Sequence, residues 1–283
     1  MGVTDLNETP RNASRTAQSV ASIRAFHRLM DSEPKLLEDG IAEKILDADV
    51  LALVRARDAR YETPGMRALR VRVLLRSRFA EERLEQAMAR GVRQCVVLGA
   101  GFDTFAYRQP PWASALRIFE VDHEASQMLK RARLDAAGIA VPSNLEFVTI
   151  DFEHVSLREG VATSSLDFTK PAFFSCLGVL MYLTRDAVDA VFDLVAQFPK
   201  GSEIAFTFVT AEGLDSDVAS RAGAAGEPWL TALDADALPD ELEAKGFSSV
   251  AFLDLEETRR TLFRNRTDGL ELPQRTGIAA AVV

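Results

Sequence analysis

The chain has 283 residues, with 33 basic and 42 acidic side chains and a net charge of −9 at pH 7. This acidic balance argues against a nucleic-acid partner, because phosphate binding relies on clustered Lys and Arg. No apolar run has the length of a membrane span or the pattern of a signal peptide, so we expect a cytoplasmic protein with no membrane partner. Cys95 and Cys176 lie in apolar runs, which predicts buried free thiols, and no spacing typical of metal ligands occurs.

Helical periodicity dominates roughly the first ninety residues. Apolar residues recur at helical spacing from residue 14 to about residue 29, and Pro34 is suited to open a second helix through Leu46. After the turn signal Thr63-Pro64-Gly65, the pattern predicts a long helix over residues 66–90. We therefore expect an N-terminal helical cap over residues 1–90.

From residue 91 to residue 283, strand patterns alternate with helical ones. Strands are predicted at residues 95–98, 116–121, 145–150, 172–180, 203–209, 247–254 and 278–283. Helices are predicted at residues 124–137, 184–195 and 238–245, and the small, glycine-rich residues at about 210–230 predict a mobile loop or lid. This alternation is typical of an α/β core with a mainly parallel sheet covered on both faces.

A glycine turn, Gly99-Ala100-Gly101, directly follows the first predicted strand. Glycines here let the backbone approach a ligand closely, because no Cβ intervenes. Asp103 or Thr104 is predicted to cap a following helix, whose N-terminus would face an anionic group. Together these features predict the first unit of a nucleotide-binding or cofactor-binding sheet.

Two carboxylates end the next predicted strands. Glu120 lies at the end of the second strand and Asp151 at the end of the third. The carboxyl ends of parallel strands lie at the same edge of a sheet. Glu120 is therefore placed to accept hydrogen bonds from ribose hydroxyls, and Asp151 to accept one from an adenine amino group. Phe152 offers a backbone N–H and an apolar face. The pattern indicates an adenosine-containing cofactor.

The glycine pattern alone leaves the ligand open. The stretch has two of the three glycines of G-x-G-x-x-G, with Thr104 at the third position, and Glu120 also suits a nicotinamide dinucleotide. A tight turn that binds no ligand is a further interpretation.

Several motifs along the chain together carry a family resemblance. They are QCVVLGAGFDT at 94–104 with Tyr107-Arg108, FEVDH at 119–123, Asp151-Phe152, LGVLMYLT at 177–184, and GEPW at 226–229. In this order they resemble the leucine carboxyl methyltransferase family, and within it bacterial S-adenosylmethionine-dependent methyltransferases. The resemblance extends from residue 14 to the C-terminus. It implies a class I methyltransferase fold, with a Rossmann-like seven-stranded sheet and an N-terminal helical cap, and S-adenosyl-L-methionine as cofactor.

The resemblance also implies roles for individual residues. The glycine turn would hold the methionine part of the cofactor, Glu120 its ribose, and Asp151 with Phe152 its adenine. Arg76 resembles a basic residue that pairs with the cofactor's carboxylate, which suits a guanidinium fork. Many members carry Glu where this chain has Leu177, so no polar role is assigned there. The implied cofactor contacts are Arg76, Gly99, Ala100, Gly101, Asp103, Thr104, Glu120, Val121, Asp151, Phe152 and Leu177.

Methyl transfer to oxygen requires in-line positioning in a dry pocket. A carboxylate acceptor needs no base, whereas a hydroxyl acceptor needs one, for which His123 and His27 are the candidates. The candidate catalytic residues are Tyr182 and His123, and the candidate acceptor-binding residues are Phe26, His27, Tyr182 and Trp229. We expect an O-methyltransferase acting on the carboxylate or hydroxyl of a small molecule. An NAD(P)-dependent oxidoreductase and a catalytically inactive cofactor-binding protein of the same fold are the alternatives.

Overall fold

The computed structural model describes residues 15–150, 156–214, 216–224 and 226–283. Its strands are β1 Gln94–Leu98, β2 Arg117–Asp122, β3 Leu145–Thr149, β4 Phe173–Cys176, β5 Glu203–Thr207, β6 Ser249–Phe252 and β7 Ile278–Val282. They form one seven-stranded sheet in the order β3-β2-β1-β4-β5-β7-β6. Strands β1 to β5 pair in parallel, and β7 runs antiparallel to both of its neighbours. The predicted mainly parallel seven-stranded sheet is confirmed.

The α-helices follow the predicted alternation. They are α1 Arg15–Met30, α2 Ala48–Arg55, α3 Pro64–Ala89, α4 Glu124–Ala136, α5 Leu157–Ala162, α6 Arg185–Ala196, α7 Ala211–Leu214, α8 Asp217–Ala224, α9 Leu238–Ala244 and α10 Leu255–Thr258. A π-helical turn, Arg259–Phe263, continues α10. The predicted cap of α6 is confirmed, because Thr184 Oγ1 accepts the N–H of Ala187 at 3.3 Å. Helices α7 and α8 lie in the segment predicted as a lid.

The prediction of a helix that begins at Pro34 is wrong. Residues 31–41 are irregular, and a 3-10 turn, Ala42–Ile45, lies between them and α2. The Leu36 N–H donates to the His27 ring at 2.9 Å, and the carboxylate of Asp39 accepts the N–H groups of Ile41 and Ala42. Side chains therefore bind the backbone donors that a helix would use internally.

The sheet is covered by apolar layers on both faces. Along β1, Val96 and Leu98 belong to the layer that includes residues of α5, α6 and α9. Cys95 and Val97 point the other way, into the layer formed with α3. Burial on both sides explains why the strand reads as a continuous apolar run. In the part of the chain that the structure describes, no helix is long and apolar enough to cross a membrane.

A buried polar network joins the N-terminal helices to the segment after β1. Arg24 Nε of α1 lies 2.8 Å from Asp39 Oδ2. Asp39 also accepts the hydroxyl of Thr104 at 2.7 Å and lies 3.7 Å from Arg108 Nε. Burial by itself raises the pKa of Asp39, but the Arg24 and Arg108 guanidiniums outweigh it and hold the pKa below its ordinary value. Arg108 in turn pairs with Glu81 of α3.

We expect Asp39→Asn to lower the free energy of unfolding by about 3–5 kcal/mol at pH 7, because it leaves Arg24 buried without a counter-ion. The depressed pKa means that ionised Asp39 stabilises the fold above about pH 4, and that this contribution is lost as pH falls through the folded-state pKa. Denaturant unfolding between pH 3 and 7 should show the two proteins converging at the acid end.

Glu82→Gln provides the control, since Glu82 pairs with Arg78 on the exposed side of α3. It should change the free energy of unfolding by no more than about 0.5 kcal/mol. An Asp39→Asn variant as stable as this control at pH 7 would contradict the interpretation.

Candidate active site

The glycine turn is held at the carboxyl end of β1. Gly99 and Gly101 have φ angles of +64° and +44°, in the left-handed region that favours glycine. The N–H groups of Gly99 and Ala100 both donate to the Val121 carbonyl, at 2.9 and 3.1 Å. A Cβ on Gly99 would lie 2.4 Å from Val179 Cγ2. The turn therefore joins the end of β1 to β2 and passes close to the segment after β4.

The segment after the glycine turn differs from its prediction. A single 3-10 turn, Phe105–Tyr107, stands where an α-helix was expected, so no long helix presents its N-terminus there. Thr104 is buried, and its hydroxyl is bonded to Asp39 and Arg108. The Thr104 side chain thus has a structural role, and its contact with the cofactor stays a prediction.

Helix α1 lies directly over the turn. Arg24 donates a hydrogen bond to the carbonyl of Phe102. A Cβ on Gly101 would lie 3.0 Å from the Cβ of Ala17. The N-terminal helices thus form one wall of the site.

Two carboxylates on the same face of β2 have different surroundings. Glu120 is fully buried, and Lys130 Nζ of α4 lies 2.7 Å from its Oε2. Burial raises the pKa of Glu120 to about 7, although Lys130 opposes the shift. Asp122, two residues further on, accepts the N–H of Gly101 at the turn and the N–H of His123 at 2.7 Å. Asp122 therefore lies at the end of β2 against the turn, whereas Oε2 of Glu120 pairs with Lys130 of α4, and the ribose contact of Glu120 stays a prediction.

Arg76 of α3 is an arginine that the fold leaves unpaired. It has no hydrogen bond or ion pair with any residue that the structure describes. Its guanidinium packs against Gly178, because a Cβ there would lie 2.4 Å from Arg76 Nη1. Burial and the nearby Arg24 lower the pKa of Arg76 to about 10, which leaves it charged at neutral pH. Tyr182 and Asp103 are close enough to act electrostatically in the opposite direction.

Tyr182 and Trp229 meet at the carboxyl end of β4. Their rings pack edge to face, with centroids 6.4 Å apart and an interplanar angle of 82°. The N–H of Leu230 donates to the Met181 carbonyl at 2.6 Å, which fixes the end of the predicted lid beside Tyr182. The indole Nε1 of Trp229 is buried and has no hydrogen-bond partner among the residues that the structure describes. These two predicted residues are brought together.

Phe26 and His27, two of the predicted acceptor-binding residues, have structural roles. Phe26 is fully buried, stacks on Tyr61 and carries the Arg70 guanidinium over its ring. His27 is also fully buried: its Nε2 accepts the Leu36 N–H, so its Nδ1 carries the proton and donates to Asp31 at 2.8 Å. Neither side chain has exposed surface, so both have structural roles here, and their contacts with an acceptor stay predictions.

His123 caps helix α4, because its Nδ1 accepts the N–H of Ala125 at 3.2 Å. This bond places the ring proton on Nε2 in the neutral form, which does not suit a proton acceptor at that nitrogen. His123 follows β2, whereas Tyr182 follows β4, and β1 lies between those strands. The structure therefore separates the two predicted catalytic residues.

The adenine-binding prediction rests on Asp151 and Phe152, which lie outside the described residues. Of the remaining predicted contacts, Asp103 accepts the Phe105 N–H at 2.9 Å, and Leu177 is a half-buried apolar residue beside α3. Sequence reasoning missed Asp122 and Arg24. Asp122 lies within the FEVDH motif, and extending the predicted strand from residue 121 to residue 122 would have identified it. Arg24 lies on a helix with an apolar face, and no local motif marks it as a site residue.

Comparison with known proteins gives consistent matches. A family model described as leucine carboxyl methyltransferase matches residues 17–196. YktD of Bacillus subtilis, which bears the name of an S-adenosyl-L-methionine-dependent methyltransferase, is 34% identical over 206 residues, covering 70% of this chain and 67% of YktD. A similarly named Streptomyces avermitilis protein is 30% identical over 240 residues and covers 80% of each chain.

Solved structures share the fold. A crystal structure titled as that of a methyltransferase from Thermobifida fusca superposes with a TM-score of 0.54 at 18% identity, covering 96% of this chain and 94% of that one. A DUF574 family protein from Streptomyces avermitilis gives a TM-score of 0.53, also at 18% identity, covering 92% and 95%. The fold class predicted from the sequence is confirmed.

Proposed function

Because the chain belongs to the leucine carboxyl methyltransferase family, we propose that it methylates an oxygen of a small molecule, with a carboxylate as the first candidate and a hydroxyl as the second. The chain is an S-adenosyl-L-methionine-dependent methyltransferase. When bound, S-adenosyl-L-methionine supplies an electrophilic methyl group on a sulfonium. The chain's own residues must bind this cofactor, orient the acceptor and exclude water.

The observation that carries the proposal is the unpaired Arg76 beside the glycine turn. A partly desolvated guanidinium without a counter-ion is unfavourable in the folded state and suits an anionic ligand group. A guanidinium matches a carboxylate with two parallel hydrogen bonds, so Arg76 would hold the carboxylate of the cofactor. Gly178 leaves room for that guanidinium, since any side chain there would collide with it.

Asp122 is the residue we propose for the ribose. It lies at the end of β2 against the turn, and its oxygens already accept two backbone N–H groups. A carboxylate has about four lone-pair positions, so Asp122 can accept ribose hydroxyls as well. Asp151 and Phe152 remain the predicted adenine contacts.

A carboxylate is the proposed acceptor because it needs no general base. The two histidines that the structure describes, His27 and His123, both use ring nitrogens for structural hydrogen bonds. Tyr182 acts electrostatically on Arg76 and packs against Trp229, so these two rings would line the acceptor side of the pocket. A small molecule is the proposed partner, in keeping with the acidic chain.

We expect isothermal calorimetry to detect binding of S-adenosyl-L-methionine, and no binding of NADH at the same concentration. Arg76→Gln should weaken S-adenosyl-L-methionine about 10- to 100-fold, because a charge-assisted pair contributes about 1.5–3 kcal/mol. 5′-Methylthioadenosine, which lacks the amino-acid end, should bind both proteins equally.

Arg78→Gln is the matched control, since Arg78 lies on the same helix and pairs with Glu82. It should leave both affinities unchanged. Binding of NADH in place of S-adenosyl-L-methionine would favour the oxidoreductase alternative and contradict the proposal.

The two carboxylates of β2 give a second test by calorimetry. We expect Asp122→Asn to weaken S-adenosyl-L-methionine about 10-fold or more, because one ribose acceptor becomes a donor. Glu120→Gln should change the affinity less than about 3-fold while lowering the melting temperature, since it leaves Lys130 buried without its partner. The reverse order of affinities would return the ribose role to Glu120.

Acceptor chemistry is tested by methyl transfer from labelled S-adenosyl-L-methionine to matched carboxylic acids, phenols and thiols. We expect turnover with carboxylic acids and a flat kcat/KM between about pH 6 and pH 9, where the acceptor is ionised throughout. Turnover confined to phenols, with a rise near pH 7, would indicate a general base. A protein that binds cofactor but methylates none of the three classes would match the inactive alternative.

A further inference from the structure

A cavity of about 280 Å³ lies among the N-terminal helices, and we call it the cap cavity. Its volume is close to the ~300 Å³ at which small-molecule pockets begin. It is bounded by α1, by α2 and by the start of α3, and its wall includes Phe102, which directly follows the glycine turn. Arg76, Tyr182 and Trp229 are not among the described residues that line it. The cap cavity is therefore separate from the place proposed above for methyl transfer.

Apolar side chains from four parts of the chain form much of the cavity wall. They come from the turn before α2, from α2 itself, from the start of α3 and from the segment after the glycine turn: Ile45, Leu46, Val50, Leu53, Met66 and Phe102. Ile45 and Phe102 are buried, whereas the other four are half-buried. A ligand ring placed against this wall would remove apolar surface from water, which favours binding.

Two polar side chains of the cap cavity have hydrogen-bonding groups that the fold does not use. The Tyr61 ring is buried and stacks on Phe26 with centroids 4.9 Å apart, but its hydroxyl forms no hydrogen bond with a described residue. The side-chain amide of Gln18 likewise has no partner in the part of the chain that the structure describes. A hydroxyl and an amide can each donate and accept, so they suit a ligand hydroxyl or carbonyl.

The charged residues at the cap cavity are paired with other residues. Arg60 Nε lies 2.9 Å from Asp58 Oδ1, and Asp47 pairs with Arg133 of α4. The described lining therefore offers no uncompensated charge. A charged ligand group would lose hydration there without gaining a counter-ion, so the cavity favours an uncharged ligand.

We propose that the cap cavity binds an uncharged small molecule that has a mainly apolar ring system and one hydroxyl or carbonyl group. Tyr61 and Gln18 form hydrogen bonds to the ligand oxygen, and the apolar wall contacts the ring. This ligand is a second one, bound at the same time as the cofactor. It also differs in chemistry from the proposed acceptor, whose carboxylate would meet no uncompensated cation on the described lining.

The probe for this site is 2-naphthol, which is uncharged at pH 7 and has one ring system and one hydroxyl. Met66 provides the reporter, because its side chain lines the cavity and an aromatic ring shifts the NMR signal of a neighbouring methyl group. In protein labelled with ¹³C-methyl methionine, we expect a saturable shift of the Met66 methyl, assigned with Met66→Leu. The exposed Met128 of α4 should not shift.

Charged analogues of the probe test the proposed ligand class. We expect 2-naphthoate and 2-naphthylmethylammonium to bind at least about 10-fold more weakly than 2-naphthol, because the cavity provides no counter-ion. Equal or tighter binding of either ion, or no saturable Met66 shift with 2-naphthol, would overturn the proposal.

Two variants of α2 test the location. Val50→Phe places an aromatic ring in the cavity and should weaken 2-naphthol at least about 10-fold, since the ring takes the space of the ligand. Ala52→Phe is the matched control, because Ala52 is an exposed residue of the same helix. It should leave the affinity within about 2-fold of wild type. An equal effect of the two variants would contradict this location.

Tyr61→Phe tests the hydrogen bond without filling the cavity, since the ring that stacks on Phe26 is kept. We expect it to weaken 2-naphthol about 3- to 10-fold and to leave naphthalene, which has no hydroxyl, within about 2-fold of wild type. A loss of the same size for both ligands, or for neither, would overturn the placement of the ligand oxygen.

Saturation with S-adenosylhomocysteine separates the cap cavity from the methyl-transfer site. We expect the affinity for 2-naphthol to stay within about 3-fold, because the two sites are different. Displacement of 2-naphthol, or its methylation in a manner that Val50→Phe abolishes, would make the cavity part of the methyl-transfer site and overturn the proposal. Protein that binds 2-naphthol as expected but not S-adenosylhomocysteine would contradict the proposed function and leave the cap cavity supported.

Discussion

The buried ion pair between Arg24 and Asp39 holds the site together. Arg24 also donates to the Phe102 carbonyl, and Asp39 accepts the Thr104 hydroxyl, so the pair binds both sides of the segment that leaves the glycine turn. Burying two charges is unfavourable unless their attraction and further hydrogen bonds offset the loss of hydration. Asp39 meets that condition with Arg24, Thr104 and two backbone N–H groups. The helices before β1 are therefore held directly against the segment that follows the glycine turn.

The arginines that support the fold through ion pairs differ from Arg76, which faces the site. Arg70 binds Asp31, and Arg108 binds Glu81, each in a partly or fully buried pair. Arg76 lies on the same helix as Arg70 but packs against Gly178, and it forms no ion pair with a described residue, although Tyr182 and Asp103 act on it electrostatically. A buried arginine without an ion-pair partner indicates a ligand site more strongly than an exposed arginine does. Its burial costs solvation free energy that no carboxylate of the fold offsets through an ion pair.

Helix and strand periodicity explain how much of the fold the sequence predicted. The apolar runs of β1 and β4, the turn signal Thr63-Pro64-Gly65 and the cap Thr184 are local features, so strands, helices and the glycine turn fell near their predicted positions. The irregular residues 31–41 were mispredicted as helix because their backbone donors bind His27 and Asp39, and those partners are set by tertiary packing. Local sequence periodicity does not specify such tertiary contacts.

For the site, the sequence by itself determined the residue types and the strand ends at which they occur: the glycines, a carboxylate after β2, and the Arg76 position on α3. The tertiary structure decided which of them are free. Glu120 and Asp122 share one face of β2, but only Glu120 meets Lys130 of α4. His27 resembles a possible base until its two nitrogens are seen to be bonded. Availability depends on what other elements bring to each side chain, and that is a property of packing rather than of sequence spacing.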